Sequence, residues 1–407
     1  MDTIYNQIYV PISIYACGSW GWAVRKVHIR RKLIAAERRA LMHITRVYKT
    51  TPNISLHILA RKAPINHLID YNTKLWHLKW GKATCINNQI IDSQDLECNI
   101  QYALTKHPAT PNKINFYQPD HVDIEIFTDG SKANFSVGSA FVAFHNNEEI
   151  ASGQHRLGDH CSVLQAEMFA IRSAVAWSVS NFAGKSVAII SDSASSISLI
   201  KNHSCHPIST DIQDTINNSC NLFFIYWTRA HQGTLGNERA DALAKSASDD
   251  SNLPVAYNKI NSNTVKNLLW KDLLVTWQQE WDNHNHPVTH RFIPNIESFL
   301  LNKWYIPGHR NSQFLTGHGR FQSYLARFVN APSSNCSLCG TSDSNLHYIF
   351  DCPMLELERH YLKSTIEAHG YSWPRDCYSF FNHQDSYLAF LMLINNYFGR
   401  TTVTAYI

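Results

Sequence analysis

The sequence predicts an α/β fold: a mixed five-stranded sheet flanked by helices, with a basic helical segment before it and a mostly helical region after it. Three observations lead there. Between residues 122 and 250, short apolar runs with period-two alternation are interspersed with longer runs of helical period. The strands come first as a consecutive trio and then singly between helices, and the residues on either side carry no comparable strand pattern. Composition agrees, because 44% hydrophobic and 12% aromatic content over 407 residues is core-forming material with room for two or three domains.

Taken in order, Val24 to Lys49 holds nine basic residues and one acid, Glu37, with Leu33, Ile34, Ala40, Leu41, Ile44 and Val47 at roughly helical spacing. This is an amphipathic basic helix or helix pair, and charge alone fits a solvated surface helix as well as a nucleic-acid-facing one. Thr50-Thr51-Pro52-Asn53 stops it and a short helix follows over 54–60, closing a basic helical segment at 1–82. Residues 83–121, rich in Asn, Gln and Pro, read as a linker. Val122, Ile124 and Ile126 then alternate with Asp123 and Glu125, and runs at 137–145 and 149–155 complete an antiparallel meander. The stripe Leu164, Met168, Ile171, Val175 and Val179 predicts a helix over 163–179. A strand at 187–190, helices over 193–201 and 210–221, a strand at 222–227 and a helix over 237–247 finish a domain at 122–250. The 255–407 region, with Trp270, Trp277, Trp281 and Trp304 and no strand pattern, is expected to be helical.

The net charge of +4 hides an asymmetry. Residues 1–122 carry 16 Lys and Arg against 7 acids, 123–250 carry 8 against 14, and 251–407 carry 12 against 11. A basic flank suits a polyanion partner, and an acidic middle suits a site that collects cations. Of ten cysteines only Cys336, Cys339 and Cys352 cluster, which favours a reducing compartment over a disulfide scaffold. Asp2 and Pro11 spoil the apolar start as a signal peptide, and Tyr387 to Ile394 falls far short of the ~20 residues of a membrane span. The expectation is a soluble, intracellular protein, nuclear or cytoplasmic, that is not secreted and has no membrane partner.

Four acids stand where acids are unfavourable without compensation. Asp129 follows the first strand and Asp192 the fourth, Glu167 lies one residue from the apolar stripe of its helix, and Asp241 sits one turn inside the last helix behind a Gly-rich loop. They converge if the first and fourth strands are neighbours. Hydrolysis of a phosphodiester by two divalent ions needs such a set of oxygen ligands, one ion activating water and the other stabilising the leaving oxygen. Singly, Asp129-Gly130 also reads as a turn, Asp192-Ser193 as a helix cap and Asp241 as a surface residue. Those readings leave Glu167 unexplained, and His231 and Asn237 in one loop as well.

Thr128-Asp129-Gly130-Ser131, Gln165-Ala166-Glu167, Ser191-Asp192-Ser193 and the run from His231-Gln232-Gly233 to Gly236-Asn237-Glu238-Arg239-Ala240-Asp241 resemble the four motifs of the ribonuclease H type 1 family. The resemblance covers about residues 122–250 and implies an RNase H-like fold. It also implies an RNA–DNA hybrid ribonuclease, with two Mg²⁺ (or Mn²⁺) held by Asp129, Glu167, Asp192 and Asp241. His231 would correspond to the family's mobile histidine, assisting proton transfer and product release. Gln165, Ser131 and Asn237 would serve the substrate, Gln165 reaching the minor groove where the 2′-hydroxyl marks RNA and Asn237 capping the last helix.

Cys336-x2-Cys339-x7-His347-x4-Cys352 supplies four ligands at spacings that close a tetrahedral zinc site, with Gly340 permitting the turn after the second cysteine. Such a zinc knuckle at 336–352 would be structural, and it suits single-stranded nucleic acid as a partner. A basic segment, a ribonuclease H stretch and a late knuckle, in that order, resemble the C-terminal part of Jockey-like non-LTR (LINE-type) retrotransposon polyproteins. Ala35-Ala36-Glu37-Arg38-Arg39-Ala40-Leu41 with Thr50-Thr51-Pro52 is similar to the end of a reverse transcriptase region, and Leu315-Thr316-Gly317-His318-Gly319-Arg320-Phe321 precedes the knuckle. No Tyr-x-Asp-Asp polymerase signature is present, so polymerase activity is not expected. The alternative is a catalytically silent nucleic-acid-binding remnant of such a polyprotein.

Overall fold

The computed structural model describes residues 1–87, 89–101, 113–134, 136–202, 204–229, 235–284 and 287–403. The chain divides into two compact units: residues 81–85 with 89–268, and residues 1–80, 86–88 and 269–407.

The first unit is built on a seven-stranded sheet. Its elements are β1 (Ile114–Asn115), β2 (Ile124–Ala133), β3 (Ser136–His145), β4 (Glu148–Leu157), α1 (Val163–Asn181), β5 (Ser186–Ser191), α2 (Ala194–Lys201), α3 (Pro207–Asn218), β6 (Leu222–Trp227), α4 (Leu235–Asp249) and β7 (Val255–Tyr257). The sheet order is β1-β6-β5-β2-β3-β4-β7. β2, β3 and β4 form the antiparallel meander, while β5 runs parallel to β2 and β6 parallel to β5. The five expected strands are joined by two edge strands, β1 beside β6 and β7 beside β4. Two or three residues cannot display a period, which is why β1 passes for linker and β7 for the start of the helical region.

Both faces of the sheet are covered, as its parallel half requires. Ile126, Phe141, Ala143 and Ile189 pack with Met168, Ile171 and Val175 of α1 and Ile212 and Ile216 of α3. Their strand neighbours Phe127, Ala140, Val142 and Ile190 pack on the opposite face with Ala240, Leu243 and Ala244 of α4. α4 lies close because β3 carries Gly138: a Cβ there would stand 2.1 Å from the Ala244 carbonyl oxygen. α3 begins three residues earlier than expected, at Pro207, whose fixed φ and missing N–H suit a first helical position.

In the second unit, helices drawn from both ends of the sequence share one core, in which Ile58 and Leu59 pack with Trp277, Trp281, Phe292, Phe314 and Phe390. The basic stretch forms a helix over Val27–Thr45. Its one acid, Glu37, points inward: fully buried, it accepts hydrogen bonds from the Tyr5 hydroxyl at 2.5 Å and the Ile65 amide at 3.2 Å. Burial pushes its carboxyl up to about 7, although the Tyr5 bond opposes the shift. Arg31, Lys32 and Arg39 are left exposed on the outer side with no acid among them. Among the described residues no helix is long and apolar enough to cross a membrane.

Candidate functional site

The sheet register creates the site. β2 pairs in parallel with β5 only as far as Thr128 opposite Ser191, so Asp129 and Asp192 emerge side by side just past the last pair. Asp129 does not end its strand as expected. β2 continues to Ala133 in antiparallel pairing with β3, and the local alternation cannot reveal that one partner leaves while the other stays. Asp192 is held by its own backbone: its carbonyl accepts the Trp227 indole N–H at 2.9 Å, while the Ser191 carbonyl accepts the Thr228 amide at 3.0 Å.

Glu167 comes from the other side. α1 opens on a reciprocal cap in which the Ser162 hydroxyl accepts the Gln165 amide and the Gln165 side chain accepts the Ser162 amide. Two residues on, Glu167 meets β2 at Gly130, where a Cβ would stand 2.4 Å from the Glu167 backbone nitrogen. Only the missing side chain lets helix and strand approach so closely. One ligand atom from each of Asp129, Glu167 and Asp192 lies within 4.8 Å of the other two.

Glu167 is buried and its Oε2 has no hydrogen-bond partner among the described residues. Burial above all, then the charges of Asp129 and Asp192, push its carboxyl up to about 9, with the Gly130 backbone amide opposing. An unpartnered carboxylate oxygen beside two more acids is a poor environment for anything but a proton or a cation. The residues therefore fit a divalent ion.

Asp241 stands outside this trio. It lies on α4 and pairs with Lys245 at 2.7 Å, one turn along the helix. That pair raises the Lys245 ammonium, with a smaller contribution from Asp129, so Lys245 lies within electrostatic reach of the first acid. Lys245 was not singled out from sequence, although its i,i+4 spacing from Asp241 is a readable signal. Trp227 was missed too, and an apolar strand end gives no sign that its indole will hold the backbone of Asp192.

The expected substrate contacts fall differently. Gln165 is buried, its Nε2 donating to the Lys259 carbonyl at 2.9 Å and its Oε1 accepting from Asn261 at 3.1 Å, so it is spent inside the fold rather than turned to a groove. Ser131 lies on β2, partly exposed and opposite Gly138. Asn237 is the third residue of α4 rather than its cap, because the helix starts at Leu235; it is buried and its Oδ1 finds no partner among the described residues. His231 lies outside the described residues, with Gln232 and Gly233.

In the other unit Cys336, Cys339, His347 and Cys352 converge, their ligand atoms all within 4.8 Å of one another. Gly340 takes φ +74 and its amide closes a turn onto the Cys336 carbonyl at 2.9 Å. His347 sits on the short helix Asn345–Phe350, capped by Ser344, and its Nε2 is 3.2 Å from Cys339 Sγ. Three thiols and an imidazole at this spacing fit a tetrahedral soft-metal site.

The RNase H family profile matches residues 121–249, so this stretch of the chain is an RNase H domain. The chain is homologous to Pol polyproteins of R1 non-LTR retrotransposons. It is 33% identical over 79 residues to the retrovirus-related Pol polyprotein from type-1 retrotransposable element R1 4 of Nasonia vitripennis, covering 19% of this chain and 20% of that protein. To the corresponding R1 polyprotein of Popillia japonica it is 28% identical over 123 residues, covering 30% of this chain and 48% of the relative. The chain thus spans under half the length of these relatives. RNase H1 from Halobacterium salinarum NRC-1 aligns with 31% of this chain and 98% of its own at 18% identity, with a TM-score of 0.28.

The raised Glu167 carboxyl sets a pH dependence. From pH 4.5 to about 9 the metal-free native state holds a proton that the unfolded chain releases, so this group's contribution to stability falls as pH rises through that window. A bound divalent ion favours the ionised form and reverses the trend. Stabilisation by Mn²⁺, about 2.7 kcal/mol at a hundredfold excess over Kd, should therefore be larger near pH 8.5 than near pH 5.5. Thermal melts with chelator or Mn²⁺ at both pH values check this, and Glu167→Gln should remove most of the difference.

Proposed function

We propose that the chain hydrolyses the RNA strand of RNA–DNA hybrids, with Asp129, Glu167, Asp192 and Asp241 holding two divalent cations, Mg²⁺ or Mn²⁺. The observation that carries the reading is the convergence of Asp129, Glu167 and Asp192 around a buried Glu167 Oε2 that has no partner among the described residues. Cations bound there would polarise the attacking water and stabilise the departing oxygen. Asp129 is assigned to both ions by the resemblance of its motif. Asp241 joins by releasing Lys245, and solvent screens a pair this exposed, so a cation displaces it readily. Trp227 and Thr228 keep Asp192 in place while charge develops. Ser131, Asn237 and His231 enter by their motifs alone, the first two as substrate contacts and His231 as the group that moves a proton and clears product.

Asp192→Asn should lower hybrid cleavage by about 10²–10³-fold, the several kcal/mol that a metal centre contributes, while binding persists. The measurement is cleavage of a labelled hybrid beside matched RNA and DNA duplexes. A full chain that binds hybrid with Mg²⁺ present yet leaves it whole would instead support the silent remnant.

The grip on nucleic acid belongs in this reading to the helix Val27–Thr45, because residues 123–250 carry six more acids than bases. Replacing Arg31, Lys32 and Arg39 with alanine should weaken hybrid binding and flatten the plot of log K against log salt by about 2–3. A slope left unchanged would put the contact elsewhere. The retrotransposon relationship favours action inside the cell.

Cys336, Cys339, His347 and Cys352 are assigned one structural Zn²⁺, with single-stranded nucleic acid as the neighbouring partner. Metal analysis should find one zinc per chain, lost in Cys336→Ser together with thermal stability in the unit that holds the knuckle. Zinc retained in that variant would exclude the assignment.

A further inference from the structure

Two segments outside the family match close around the start of α1. Residues 92–100 and 255–261 pair with each other: the Glu97 amide donates to the Ile260 carbonyl at 2.8 Å and the Ile260 amide to the Asp95 carbonyl at 2.7 Å. The Lys259 ammonium also reaches the Gln94 carbonyl at 2.6 Å. Farther along, the Ile100 amide donates to the Cys205 carbonyl at 2.8 Å.

A carboxylate lies at the centre of this arrangement. The Glu97 side chain is only 5% exposed, takes the Tyr257 hydroxyl at 2.6 Å, and lies 3.2 Å from His206 Nε2. Its backbone partner Ile260 stands between Lys259 and Asn261, the two residues that hold the Gln165 side chain. Burial alone would raise the Glu97 carboxyl, but the bonds from His206 and Tyr257 outweigh it and hold it below the usual range, so it is a charge. Gln165 in turn is fixed by the Lys259 carbonyl and the Asn261 amide group, and it forms half of the cap on α1. Glu167 follows two residues later. A buried charge with two partners gives little net stability but tolerates few arrangements of its neighbours.

We infer that residues 92–100 and 255–261 form a clasp on the first turn of α1, and that Glu97 and Asn261 are positioning residues which act through Gln165 to hold the Glu167 carboxylate at the cation site. The role of Glu167 rests on the proposed nuclease reading, but the clasp itself does not. Without it the first turn of α1 should fray and the carboxylate should lose its fixed approach to Asp129.

The test uses the full chain as Glu97→Ala and, independently, Asn261→Ala, with Ile216→Val as a control that loosens the α3 core without touching the clasp. Amide hydrogen exchange over residues 163–168 and calorimetric titration with Mn²⁺ are read side by side. In both clasp variants exchange should speed about tenfold, the equivalent of one lost charge-assisted hydrogen bond, and the Mn²⁺ Kd should rise several-fold. The control should do neither. Clasp variants that match the control in both readouts would reduce the clasp to a brace and overturn the inference. Accelerated exchange with an unchanged Mn²⁺ Kd would also overturn it, since α1 would then be clasped without positioning Glu167. Because neither readout depends on turnover, a chain that cleaves no hybrid would defeat the nuclease reading and leave this result standing.

Discussion

The structure turns on one unfavourable juxtaposition, the burial of Glu167 against Asp129 and Asp192. Like charges at this separation repel, and loss of solvent around Glu167 makes the repulsion worse. Several features of the fold oppose the tendency of these groups to move apart. The parallel register fixes where Asp129 and Asp192 emerge, Gly130 lets α1 approach, and the Ser162–Gln165 cap prevents the helix start from turning away. The strain is electrostatic and is relieved by a proton or by a cation, so the same geometry serves as a proton trap without metal and as a ligand set with it.

How much of this could be read from sequence follows from the range of the interactions involved. Asp129 and Asp192 were legible because apolar strand runs stop near them, and Glu167 because it interrupts the logic of an amphipathic stripe. The convergence of Cys336, Cys339, His347 and Cys352 was legible because all four fall within seventeen residues and Gly340 marks the turn. The direction of Gln165 was not, since its partners Lys259 and Asn261 lie more than ninety residues away. The same holds for the unit that joins residues 1–80 to 269–407: nothing local to Ile58 or Leu59 announces Trp277 or Phe314 as neighbours. Asn237 failed for a different reason, a helix that starts two residues early and so turns an expected cap into a buried helical position.

The electrostatic division between the units was legible in part. Counting charges separated a basic flank from an acidic middle, but a count treats Glu37 as partial neutralisation of its helix. Its inward turn onto Tyr5 and Ile65 removes that neutralisation from the surface, so the exposed face is more uniformly basic than the sequence suggests. A single buried acid therefore changes the helix as a binding surface without changing its net charge.

For a nuclease the acidic middle then has a consequence beyond weak affinity. A polyanion approaching a domain with excess acid meets repulsion everywhere except where bound cations invert the local potential. The carboxylates that hold those cations thus determine where a phosphate can rest as well as what happens to it, and a backbone docked without metal finds no favourable position at the acids. In the proposed reaction this couples occupancy of the ion sites to productive placement of the substrate. An affinity that resides in the basic helix of the other unit can then be strong without trapping the nucleic acid in an unreactive register.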